Sequence, residues 1–268
     1  DGARRLAVGD RLWSVFLLRL QTALPDAGWV PATTVTRHLR MRKAAAEIDA
    51  LRRAAQAIDR VHQQVPPLLR PGRTEAEVGH DIAELIVSEG HTAVNFVIVG
   101  SGPNGASPHH ETGSRVIADG DSVVVDIGGT LDGYCSDCTR DYVIGNPPQG
   151  YSQAHASLEE AHKAACDAVR PGVTAEAVDA AARDVLTAAG YGERFIHRTG
   201  HGIGLEEHEE PYIVAGNDLA LEPGMTFSVE PGVYLPARFG QRIEDIVVVT
   251  DGGGERLNTL DRAPVTVG

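Results

Sequence analysis

Apolar and polar positions follow the same rhythm in two places one hundred residues apart. The stretches "PGRTEAEVGHDIAELIVSEGH" (Pro71–His91) and "PGVTAEAVDAAARDVLTAAGY" (Pro171–Tyr191) both open on Pro-Gly and a threonine. Both continue with an amphipathic run and close on glycine. Each carries the start and stop signals of a helix: Thr74 or Thr174 as N-cap, acid in the first turn, and Gly90 or Gly190 at the end. The apolar positions between them keep a helical period.

The pairing extends to strands. "GDSVVVDIGG" (Gly120–Gly129) parallels "GMTFSVEPGV" (Gly224–Val233): each starts on glycine, runs through β-branched residues, and places an acid, Asp126 or Glu230, six positions on. His109 and His208 fall between helix and strand in each half, ninety-nine positions apart. The unit is therefore helix, loop with histidine, strand with carboxylate, further strand. A repeat too short to bury its own apolar face packs against its twin, which predicts a single α+β domain with pseudo-twofold symmetry.

An aspartate inside "SVVVDIGG" is out of place as an ordinary side chain, because an unpaired charge on a buried strand costs several kcal/mol. Glu230 in "TFSVEPGVY" raises the same problem. One such acid is as well explained by an arginine partner or a strand end at the surface; two at matched repeat positions are not. After Asp126, "IGGTLDGYCSDCTRDYVIG" contains the hairpin signal Asp132-Gly133. A turn centred there sets Asp126 opposite Thr139, with Asp137 on the same face and diagonal to Asp126, about 7–8 Å away between the two backbones. After Glu230 a returning strand carries Glu244. Four convergent carboxylates stay ionised only if cations neutralise them. Oxygen ligands with one imidazole suit Mn²⁺, Co²⁺, Fe²⁺ or Zn²⁺, and a bridged pair of ions is the usual hydrolase arrangement. The imidazole candidate lies in "HRTGHGIGLEEHEEP" (His197–Pro211). There Gly200, Gly202 and Gly204 let the backbone approach closely around His201.

Composition narrows the partners. The net charge of −13 over 268 residues argues against nucleic acid or an anionic membrane as partner. Three cysteines, an odd number, form no secreted-type framework and point to a reducing cytosol. "LWSVFLLRL" (Leu12–Leu20) is too short for a membrane span and reads as an amphipathic helix. The opening "DGARRL" lacks an initiator Met, which suggests a longer protein.

The blocks "SGPNGASPHH", "VVVDIGGTLDGYCSDCTRDYVIG", "HRTGHGIGLEEHEEP", "FSVEPGVY" and "RIEDIVVVT", in this order, resemble the pita-bread metallopeptidases. The resemblance covers the chain from about Arg40 to its end and is strongest to the prolidase and aminopeptidase P branch. It implies a pita-bread (creatinase/aminopeptidase) fold: two pseudo-symmetric halves with a curved antiparallel sheet covered by helices. It implies two divalent metal ions, manganese before cobalt, zinc or iron, held by Asp126, Asp137, His201, Glu230 and Glu244. Glu230 takes the role of general base toward the attacking water. His109, rather than His110, and His208 take substrate and catalytic roles, and Arg242 orients the site. The implied reaction removes the N-terminal residue from Xaa-Pro dipeptides or short peptides, in the cytosol, with a homodimer as one assembly. Members carry a preceding domain, so residues 1–40 read as its remnant and linker and residues 41–268 as the catalytic domain.

Other readings compete: a methionine aminopeptidase-type exopeptidase, a catalytically inactive peptide-binding module, or a metal-free creatinase-like enzyme. The complete set of five ligand residues disfavours the last two. The remaining titratable groups carry bland expectations. His197 is structural or supports the ligand residues from behind, and His110 is an exposed neighbour of the motif. His38, His62, His80, His91, His155 and His162 are surface or capping residues. Glu206, Glu207, Glu209 and Glu210 form a solvated edge. The CxxC of Cys135 and Cys138 on a hairpin strand does not hold zinc, and the Gly-rich "SGPNGA" lacks the lysine of a phosphate loop.

Overall fold

Thr74 and Thr174 cap helices as the repeated pattern predicts: each hydroxyl accepts a backbone N–H three residues on, from Glu77 at 3.2 Å and Ala177 at 3.3 Å. The computed structural model describes residues 5–268. Its elements are β1 (Arg5–Val8), α1 (Ser14–Ala23), β2 (Gly28–Pro31), α2 (Thr33–Arg40), α3 (Ala45–Gln64), α4 (Glu75–Ser88), β3 (Ala93–Ser101), β4 (Ser122–Leu131), β5 (Tyr134–Ile144), α5 (Tyr151–Ala168) and α6 (Ala175–Ala188). They continue with β6 (Gly200–Gly202), β7 (Glu209–Ile213), β8 (Thr226–Val229), β9 (Gly232–Leu235), β10 (Phe239–Arg242), β11 (Asp245–Thr250), β12 (Gly253–Arg256) and β13 (Val265–Val267).

The α+β duplication is visible in the hydrogen bonds. At the start of α4, Gly72 N bonds Ile117 O at 2.9 Å and Glu75 N bonds Arg115 O at 3.0 Å. At the start of α6, Gly172 N bonds Leu221 O at 2.8 Å and Ala175 N bonds Leu219 O at 3.0 Å. The first half is a sheet ordered β13-β5-β4-β3, the second a sheet ordered β12-β11-β8-β6-β7. β3, β4 and β5 run antiparallel, as do β6, β8 and β11. An isolated bridge between Thr139 and Glu244 joins the halves. Helices α3 and α4 cover the first sheet through Ile58, Val61, Val78, Ile82 and Ile86 against Val123, Val125 and Ile127. Helices α5 and α6 cover the second through Leu158, Ala161, Val178 and Leu186 against Phe227, Val229 and Val247. Asp132 and Gly133 form the turn of the β4–β5 hairpin in the left-handed region, φ 52° and 82°, and Asp126 does face Thr139.

Leu12–Leu20 lies largely in helix α1, no residue of which is fully buried. Two expectations need correction. His62, His91, His155 and His162 are interior residues, each at most 4 % exposed: the first three turn toward β5 and His162 toward β11. His62 takes an O–H from Tyr142 at Nδ1 (2.9 Å) and donates from Nε2 to the Cys138 carbonyl (3.1 Å). Glu209, too, departs from expectation: it is covered, whereas Glu206 keeps 36 % of its side chain exposed. Lys43 Nζ meets Glu209 at 2.6 Å, and Arg40 bonds both glutamates. Cys135 and Cys138 do lie in separate core clusters, because residues three apart on a strand face opposite sides. Among the described residues no helix is long and apolar enough to cross a membrane.

Burial depresses His62 to about 3, opposed in part by its backbone hydrogen bond, against about 6.5 in an unfolded chain. The folded state therefore refuses a proton that the unfolded chain binds below about pH 6.5, and this contribution to stability is lost as pH falls toward 3. Buried carboxylates with raised values act in the opposite direction, so the parent's own pH profile mixes both. Comparison with His62→Gln isolates the histidine. The variant should gain on the parent by about 2 kcal/mol in unfolding free energy between pH 7 and pH 5. Urea melts at both values measure this, and a pH-independent difference contradicts it.

Candidate active site

Strand alternation builds the site. In β4, Val123, Val125 and Ile127 enter the helix-side core, which turns Asp126 to the other face. In β5, Cys138 and Tyr142 enter that core, which turns Asp137 and Thr139 to the same face as Asp126. In the second half Phe227 and Val229 pack inward, leaving Ser228 and Glu230 opposite them. Asp245 pairs with Val229, so one step further Glu230 lies beside Glu244. Both glutamates sit one residue outside the regular strands, where the bridge to Thr139 continues the pairing.

His201 arrives on β6, a three-residue strand tightly packed on both sides. A Cβ at Gly200 would lie 1.8 Å from the Ser228 carbonyl oxygen, and one at Gly202 would lie 2.3 Å from that of Glu210. The glycines around His201 are thus required by close approach, as expected. Ligand atoms of Asp137, His201 and Glu244 all lie within 4.8 Å of one another. Glu230 Oε1 is 3.3 Å from His201 Nε2, and Asp137 Oδ2 is 3.6 Å from it. Asp126 stands at the edge of this group. Its Oδ2 accepts from Arg242 Nη2 at 2.6 Å, while its Oδ1 is buried with no partner.

The supporting donors were not legible as site residues. Thr139 Oγ1 donates to Glu244 at 2.7 Å and Ser228 Oγ to Glu230 at 3.1 Å. Arg242 Nη1 donates to Tyr234 Oη at 2.9 Å, so the Tyr234 hydroxyl points its proton at His197 Nε2, 2.8 Å away. His197 then donates from Nδ1 to the Arg198 carbonyl at 2.7 Å, the structural role expected for it. Tyr234 sits in the "EPGVY" block but is recognised only once Arg242 is seen beside it.

Above the carboxylates opens a cleft of about 510 Å³, lined by Phe96, Ile98, Pro108 and Val214 and by His109, His197, Arg198, Glu207 and His208. The His208 ring lies over that of His201, centroids 4.0 Å apart. His109 is exposed, whereas His110 is half-buried and bonded to Glu75 at 2.8 Å. His110 is thus tied down, not an exposed neighbour. A second cavity of about 590 Å³ lies between residues 9–40 and residues 206–212, which run into β7, and shares His208 with the cleft. It contains none of the clustered carboxylates.

The sequence pattern described as metallopeptidase family M24 matches residues 49–251. The chain belongs to metallopeptidase family M24. It is 59 % identical over 264 residues to a probable dipeptidase PepE of Mycobacterium tuberculosis, covering 97 % of this chain and 70 % of the relative. A Lactobacillus helveticus Xaa-Pro dipeptidase is 39 % identical over 246 residues, covering 91 % and 67 %. Among solved structures, a prolidase from Thermococcus sibiricus superposes with a TM-score of 0.95 at 41 % identity, over 98 % of this chain and 72 % of that one. Its pita-bread fold is that of this M24 chain.

The electrostatics of the M24 site fit divalent cations. Burial, then repulsion from Glu244, Asp126 and Glu230, pushes Asp137 well above the usual carboxylate range. Burial and repulsion from Glu230 and Asp126 do the same to Glu244. Burial, opposed by Arg242, brings Glu230 to about 7. His201 is driven down to about 3 by burial and then by His208. Its Nδ1–H is committed to the Gly202 carbonyl at 3.1 Å, so its Nε2 presents a lone pair to two carboxylates. Acceptors facing acceptors in a buried site are stable only with a proton or a cation between them. The same Nδ1 bond fixes the tautomer that a metal-ligating histidine needs.

Cations and protons therefore compete for one set of oxygens. Mn²⁺ affinity should weaken as pH falls from 8 to 6, roughly tenfold per pH unit for each proton displaced. Asp137→Asn and Glu244→Gln should each weaken it further. Titration calorimetry reads both, and a Kd that ignores pH rules out the competition.

Proposed function

We propose that the chain hydrolyses the N-terminal peptide bond of Xaa-Pro dipeptides or short peptides, using two divalent metal ions of which manganese is the first candidate. The observation that carries this reading is the convergence of buried Asp137 and Glu244 and half-buried Glu230 on the His201 lone pair. Relatives named Xaa-Pro dipeptidase at 39 % and 41 % identity support the substrate class. In this reading Asp126, Asp137, His201, Glu230 and Glu244 hold the ions, and residues 41–268 are the catalytic unit. The protein acts on small peptides in the cytosol as a homodimer. Three free cysteines suit that compartment.

When bound, the ions supply Lewis acidity for the scissile carbonyl and lower the pKa of water toward neutrality. The chain's own residues do the rest. Glu230, held by the Ser228 hydroxyl, takes the proton of the attacking water and passes it to the leaving proline nitrogen. His109 and His208, both lining the cleft, contact the substrate around the scissile carbonyl. Burial keeps His208 below its ordinary value, so at neutral pH it accepts or donates as a neutral ring. Arg242 holds Asp126 and Tyr234 in place from behind.

Cleavage of an Xaa-Pro dipeptide should vanish with a chelator and return with Mn²⁺. Glu230→Gln should leave the melting profile of the metal-free protein nearly unchanged and lower kcat by about 100-fold or more. Full activity in that variant removes Glu230 as base. Turnover of Met-Ala peptides in place of Xaa-Pro dipeptides selects the methionine aminopeptidase-type reading. Mn²⁺ binding without turnover selects the inactive module.

A further inference from the structure

We propose that Glu75 and Asp179 are positioning residues, one in each half, that set the segments delivering His109 and His201 to the cleft. The inference rests on the functional reading above. Both acids are interior, 0 % and 1 % exposed, and neither belongs to the carboxylate cluster. A buried acid needs a dense set of donors, and each of these takes its donors from the chain that leads into the site.

Glu75, the first residue of α4, accepts the backbone N–H and the hydroxyl of Ser101, both at 2.7 Å. It also accepts Asn104 Nδ2 at 3.1 Å and His110 Nε2 at 2.8 Å. One carboxylate thus grips residues 101, 104 and 110 and brackets the loop whose end presents His109. Burial opposes its charge, but the bonds from Ser101, His110 and Asn104 hold its carboxyl below the ordinary range. The helix N-terminus favours the same charge.

Asp179, in the interior of α6, accepts the backbone N–H of Thr199 at 3.1 Å and its hydroxyl at 2.7 Å. Arg183 closes the grip, bonding both Asp179 oxygens at 2.9 Å and reaching on to the carbonyls of Phe195 and His197 at 3.1 and 2.9 Å. Thr199 lies two residues before His201, and its carbonyl accepts the backbone N–H of Glu230 at 2.8 Å. The two halves therefore use one device: an acid on the repeated helix holds the amide and hydroxyl of a Ser or Thr at the start of a site segment. The repeat did not copy it by position. In the aligned pattern Glu75 falls on Ala175 and Asp179 on Gly79, so the acids sit one helical turn apart.

The two grips deliver different groups, and that separates positioning from mere stability. Asp179→Asn should weaken Mn²⁺ binding by about tenfold in substrate-free titration calorimetry, because it loosens the approach of His201. Glu75→Gln should leave the Mn²⁺ Kd within about twofold and lower kcat/KM by about tenfold. In a double-mutant cycle, Glu75→Gln should add little to the loss caused by His109→Ala, since both act through one histidine. Additive losses, equal effects of both variants on Mn²⁺ affinity, or wild-type behaviour of both overturn the proposal. If Glu75→Gln does not fold, Ser101→Ala removes one donor and carries the same expectations at smaller size. Full activity of His109→Ala overturns the role assigned to His109, and with it the Glu75 half; the calorimetry of Asp179→Asn then judges the other half alone.

Discussion

The interior of this protein is organised around a repulsion. Asp137 and Glu244 are buried, with half-buried Glu230 beside them, against a histidine whose only free nitrogen is an acceptor. Nothing in such a cluster holds itself together, since each member raises the cost of ionising the next. What surrounds it consists of donors aimed inward: Thr139 on Glu244, Ser228 on Glu230, Arg242 on Asp126. These satisfy single oxygens and leave the centre for a cation.

Strand alternation lets the fold bear that burden close to its core. Glu244 faces the cleft, and its neighbour Asp245 faces the opposite side. There Arg140 meets it at 2.6 Å and His162 lies 3.4 Å away. Arg140 and then His162 bring Asp245 to about 2 against the cost of burial. Two adjacent acids thus sit in opposite electrostatic states one residue apart. Arg140 also donates to the Glu244 carbonyl at 2.7 Å, so the well-paired acid helps to fix the backbone of the strained one. The duplication supplies the matching strands, and the Thr139–Glu244 bridge brings them into one site.

Much of this was legible in the chain. The capped helices at Thr74 and Thr174, the Asp132-Gly133 hairpin and the Asp126–Thr139 register follow from local rules about caps, turns and period-two strands. The acids at matched positions in apolar strands announced themselves because burial makes charge conspicuous in a pattern of valines. The close-packed glycines around His201 were readable for the same reason: three in alternation suit a strand with no room for side chains.

The sequence by itself therefore determined the element types, the twofold repeat and the acids and histidine at the centre, since each is a local consequence of residue type and spacing. Only the tertiary structure decided which polar groups meet across the sheets. The interior histidines mark the boundary: His62 stands four residues after Ile58 and three before Val65, on the apolar side of α3, but its meeting with Tyr142 and the Cys138 carbonyl depends on how α3 lies on β5. Tyr234, Glu75 and Asp179, and the bond of Thr139 to Glu244, were invisible for a related reason. Their roles are contacts with residues up to about a hundred positions away, and hydrogen bonds of that kind are set by packing and leave no periodic trace.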